Sequence, residues 1–79
     1  MEDGYKELAA AVIRLAVRDY EMAYKRLLRH PDSQSAQDAC RREKKFFYSQ
    51  WFEVLAENLD GPRLVSMVEE KVRREVMPR

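Results

Sequence analysis

At 79 residues the chain has room for one small domain with a modest core, and domains of this size hold only a few kcal/mol of net stability. A deep catalytic pocket would consume much of that core, so binding is the better expectation. Fifteen Lys and Arg stand against 14 Asp and Glu, a formal charge of +1; a dedicated nucleic-acid binder usually shows a clear basic excess.

Two glycines, three prolines and 37% charged residues fit a helical chain rather than a disordered one. No apolar run approaches the roughly 18 residues of a membrane span. The first residues, Met1-Glu2-Asp3-Gly4, are acidic, unlike a secretory leader. Cys40 is the single cysteine and has no partner for an internal disulfide. Together these point to a reducing, cytoplasmic setting without membrane contact.

The expected fold is all-α: a compact bundle of three main helices and one short helical segment, in a single domain over residues 1–79. Nothing between Gly4 and Pro31 breaks a helix, so the first helix should run from about 5 to 29. At 100° per residue Tyr5, Ala9, Val12, Ala16, Tyr20, Ala23 and Leu27 share one face, flanked by Leu8, Ile13 and Tyr24. Arg14, Arg18, Lys25 and Arg29 form a narrow stripe on the opposite side, interrupted by Glu7 and Glu21.

Pro31 stops this helix, and Asp32 or Ser33 can cap the next, expected over about 34–48. Ala36, Ala39, Cys40, Phe46 and Phe47 mark its inner face. Ser49 either caps a short helix over about 50–57 or sits where the second helix bends and continues. Asp60-Gly61-Pro62 reads as a turn with Asp60 as cap and proline in the first turn. The last helix should then span about 62–76, with Leu64, Val65, Val68, Val72 and Val76 inward. Met77-Pro78-Arg79 should fray. One core is expected to hold Phe47, Trp51, Leu55, Val68, Tyr20 and Val12, making Trp51→Ala severely destabilising.

Phe46, Phe47, Tyr48, Trp51 and Phe52 lie within seven positions, directly after Arg41, Arg42, Lys44 and Lys45. Such a cluster can stack bases beside phosphate-binding cations, or it can be a knot of core aromatics, which small bundles need. The core reading is favoured. Three consecutive aromatics cover about 200° of a helix, so one should stay at the surface, and Tyr48 is that one. Glu43 falls among the apolar residues of the second helix. It is read as a carboxylate bonded to a tyrosine hydroxyl, the Trp51 indole or an arginine, rather than as a general acid or base.

His30 stands alone, without companions at metal-ligand spacing, and suits the last turn of a helix. Cys40 is read as a small core residue. No Gly-rich phosphate loop, Ser/His/Asp set or paired carboxylates can be found. The chain is therefore expected not to be an enzyme and to need neither metal nor cofactor.

The stretch from Arg18-Asp19-Tyr20, through His30-Pro31-Asp32, to Phe46-Phe47-Tyr48-Ser49-Gln50-Trp51-Phe52-Glu53-Val54-Leu55 and Asp60-Gly61 resembles small helical proteins of Firmicutes phages and other mobile elements. Pro62 departs from their pattern at the start of the last helix. The resemblance brings no catalytic residues. It implies an accessory protein acting inside a bacterial cell, of the kind that inhibits or modulates a host protein, such as the anti-CRISPR inhibitors of defence nucleases.

Three functions follow as expectations. The leading one is a non-enzymatic binder of a host protein. Its contact face should comprise Arg14, Arg18, Met22, Lys25 and Arg29, because interfaces favour arginine and methionine; Lys44 and Tyr48 form the second choice. The alternatives are a nucleic-acid-binding accessory using a basic helix face, and a structural protein that self-associates as a homodimer.

Overall fold

The computed structural model describes residues 2–56 and 58–77, the side chains of Glu2, Asp3 and Tyr5 excepted. Four helices and no strand are found among them: α1 (Glu2–Arg29), α2 (Gln34–Phe47), α3 (Gln50–Leu55) and α4 (Gly61–Val76). This is the expected all-α bundle of three main helices and one short one. The observed limits match the expected ones to within three residues. The places expected for the Tyr5 side chain, for Glu57 and for Pro78-Arg79 lie outside the described residues.

Each boundary has a local cause. Ser33, in extended backbone, caps α2 by accepting a bond from the Ala36 N–H. Ser49 does the same for α3 through the Phe52 N–H, and Asp60 for α4 through the Arg63 N–H. Each cap satisfies an N–H that has no partner within its helix.

The 28 residues of α1, at about 1.5 Å each, make a rod of about 42 Å, close to the 45 Å longest dimension of the molecule. α2 runs back along it: Arg26 of α1 donates to Ser35 near the α1–α2 turn, while the Tyr20 ring meets Phe47 at the far end of α2. α4 runs in the same direction as α1, since Glu21, Tyr24 and Lys25 pair in ascending order with Lys71, Arg73 and Glu75. The core joins Ile13, Tyr20, Ala23, Cys40, Phe47, Phe52, Ala56, Val65, Val68 and Val72. Phe46, Phe47 and Phe52 form a mutually tilted aromatic knot within it.

Two core expectations are corrected. Trp51 is 69% exposed, and Phe52, at 1%, takes the buried place. Had α2 continued, Trp51 would stand one turn below Phe47 on the same face. Instead Tyr48 leaves the helix and Ser49 turns extended. α3 therefore starts with a new register that directs Phe52 and Ala56 inward. Severe destabilisation by Trp51→Ala is withdrawn accordingly. Val12 is 38% exposed and Leu8 64%. α1 is twice the length of α2, so its first turns extend past the neighbour that would cover this flank.

The start of α4 abuts the end of α2. A Cβ added at Gly61 would lie 1.9 Å from the Phe47 carbonyl oxygen. Only glycine permits that approach, and it sets where α4 crosses the base of the bundle.

Candidate protein-docking groove

A shallow groove of about 490 Å³ opens at the end of the bundle where α1 outruns its neighbours. One wall is α1, with Lys6, Ala9, Ala10, Ile13 and Arg14. The other is the end of α3 and the following loop, with Leu55, Ala56, Asn58 and Leu59. Alanines on α1 keep the floor low. Ile13 and Ala56 belong to the core beneath it. Lys6 and Arg14 give the rim positive charge. Leu59 projects beside it, half exposed. Trp51, exposed, stands one turn before Leu55 on α3.

The stripe expected on α1 divides. Arg14 lies on the groove rim. Arg18 is exposed one turn further on, and neither arginine makes an ion pair or side-chain hydrogen bond among the described residues. Lys25 is half-buried and pairs with Glu75 of α4 at 3.4 Å. Met22, Lys25, Arg26, Arg29 and His30 border a separate hollow at the other end of α1. At about 1.5 Å per residue, Arg29 stands roughly 22 Å from Arg14, so the stripe does not form a single compact site.

The α2 cations are largely engaged within the chain. Arg41 pairs with Asp38 at 2.9 Å, Arg42 approaches Glu43 at 4.0 Å, and Lys44 faces Glu69 at 3.7 Å. Tyr48 is exposed, as expected. Lys44 turns its charge toward α4.

The carboxylate that holds a tyrosine is not Glu43, which is nearly a third exposed and meets Arg42 instead. It is Glu69. The Tyr20 hydroxyl, with its ring fully buried, donates to the Glu69 Oε2 at 2.6 Å. This bond ties α1 to α4, and Lys44 brings α2 to the same carboxylate. Burial first, and then the Glu69 carboxylate, push Tyr20 ionisation well above the ordinary tyrosine value. Cys40, buried beside Tyr20, is also pushed up, chiefly by burial. Glu69 was legible: at 100° per residue it falls at the margin of the Val65, Val72 and Val76 face, about 20° beyond Val76.

Among the described residues no three His, Cys, Asp or Glu side chains converge as a metal site, and no helix is long and apolar enough to cross a membrane. The fold is an all-α bundle with an apolar, cation-edged groove at one end. Comparison with protein-family profiles, curated proteins and solved structures returned no match. The functional reading therefore rests on the geometry of this chain.

Proposed function

We propose that this chain is a non-enzymatic protein-binding module that receives an acidic, apolar segment of its partner in the α1–α3 groove. The observation that carries this reading is an apolar groove edged by Arg14 and Leu59, with Trp51 exposed one turn before Leu55 of its α3 wall instead of filling the core. Binding energy at protein interfaces concentrates in tryptophan, tyrosine and arginine around apolar pockets. Trp51, Leu59 and Arg14 provide such a set. The narrower role, inhibiting or modulating a host protein such as a defence nuclease on behalf of a phage or mobile element, is supported by the sequence resemblance alone.

A pull-down from bacterial lysate, followed by titration of the purified partner, tests the reading. Trp51→Ala and Leu59→Asp should each weaken binding at least about tenfold while circular dichroism stays unchanged. Arg14→Glu should weaken it further and reduce its salt dependence. Full affinity in all three variants would remove the groove from consideration.

The exposure of both Tyr48 and Trp51 near Lys45 favours one second reading, stacking of single-stranded nucleic acid. A gel shift distinguishes the two, because phosphate contacts make affinity fall steeply with salt.

A further inference from the structure

The overhanging half of α1 carries a second feature, off the groove. Leu8, Ala11, Val12 and Leu15 follow the i, i+3, i+4, i+7 spacing of a helix–helix seam. All four are exposed, Leu8 by 64% and Leu15 by 57%. Ala11 and Leu15, with Arg14 and Arg18, form the α1 margin of a shallow hollow that Leu59 and Leu64 close on the other side. Four positions with this spacing form the kind of hole that accepts a knob from a facing helix.

The charges beside the seam say what covers it. Glu7, Arg14 and Arg18 lie within about 40° of one another around the helix, along one edge of the stripe. Glu7, like both arginines, makes no ion pair among the described residues. In a parallel twofold pair the charged edges of the two copies would fall on opposite sides of the seam and leave the charges unpaired. An antiparallel copy related by a twofold axis between Ala11 and Val12 does the reverse. Leu8 then faces Leu15, Ala11 faces Val12, and each Glu7 falls opposite position 16, between Arg14 and Arg18. We propose that α1 pairs in this antiparallel way with a second copy of the chain, through Leu8, Ala11, Val12 and Leu15, with Glu7 of each copy seated between Arg14 and Arg18 of the other.

The surface is self-complementary, as an isologous twofold contact requires. It is also small beside the roughly 20–30 residues a side of a standard interface, so the dimer is weak and forms as concentration rises. It shares Arg14 with the groove rim, while Leu8 and Leu15 lie outside the groove lining, so Leu15→Asp tests the pairing without touching the groove.

Sedimentation equilibrium from micromolar to millimolar concentration tests the pairing. The mass should climb from 9.4 kDa toward twice that value. Leu15→Asp should hold it at the monomer, and Glu7→Arg should weaken dimerisation by more than about tenfold through like-charge contact. The triple charge swap Glu7→Arg with Arg14→Glu and Arg18→Glu should restore it. Orientation is read by oxidative crosslinking: Leu8→Cys mixed with Leu15→Cys should give a disulfide-linked dimer, and neither alone should. The wild type, with Cys40 buried, is the uncrosslinked control. A mass of 9.4 kDa throughout, a dimer indifferent to Leu15→Asp, or Leu8→Cys crosslinking on its own overturns the proposal.

Discussion

Replacing Phe52 and Trp51 by alanine, one at a time, separates the two possible registers of the aromatic segment. Phe52 is 1% exposed and packs against both Phe46 and Phe47, with ring centroids 5.7 and 5.5 Å away. Truncating a buried phenylalanine costs about 3–5 kcal/mol, from lost transfer energy and the cavity left behind. That is comparable to the whole stability of a domain this small. Phe52→Ala should therefore be largely unfolded at room temperature, with urea unfolding showing little or no native baseline. Trp51 is mostly in water, and its removal should change stability by no more than about 0.5 kcal/mol. Its fluorescence should also be quenched freely by acrylamide in the native state. If Trp51→Ala destabilises as much as Phe52→Ala, α2 continues through Ser49 and the register described for α3 is wrong.

Three other perturbations have definite outcomes. Gly61→Ala sets a methyl group against the Phe47 carbonyl; overpacking of this kind costs about 1–3 kcal/mol or more, read as a thermal midpoint lower by roughly 4 °C or more, and an unchanged midpoint would refute the close approach. Tyr20→Phe removes the bond to Glu69 but keeps the ring, and should cost about 1.5–3 kcal/mol in urea unfolding, the range for a hydrogen bond to a charged group; no loss would mean that the bond is not formed in solution. Stability should fall with alkali, beginning near the ordinary thiol and tyrosine values of 9.0 and 10.0. The unfolded chain releases those protons while the folded state keeps them, so the contribution is complete below these values and is lost as pH rises; Tyr20→Phe should flatten the upper part of that decline in melts followed by circular dichroism.

Much of the fold was legible because the punctuation is strong. Pro31, Ser33, Ser49 and Asp60-Gly61-Pro62 mark three boundaries, and each serine or aspartate caps the helix that follows. The place of Trp51 was not legible, because Ser49 is compatible with a cap or a bend and the two choices rotate the next residues differently. Val12 and Leu8 have the periodicity of core residues, but periodicity does not say how far a neighbouring helix extends. The apolar character of the groove depends on where the α3–α4 loop returns past Ala10, a contact between residues more than 40 positions apart. Of the predicted contact residues, Arg14 reaches that groove. Lys25 and Lys44 meet Glu75 and Glu69 on α4, whose side chains the single-helix patterns do not bring into view.

The central claim is that a partner protein docks in the α1–α3 groove. Amide chemical-shift mapping of the labelled chain with the purified partner tests it most directly. The account predicts the largest shifts at Ala10, Ile13, Arg14, Trp51, Leu55 and Leu59, abolished with Leu59→Asp. Shifts confined to Arg41 through Tyr48, unaffected by Leu59→Asp, would contradict it.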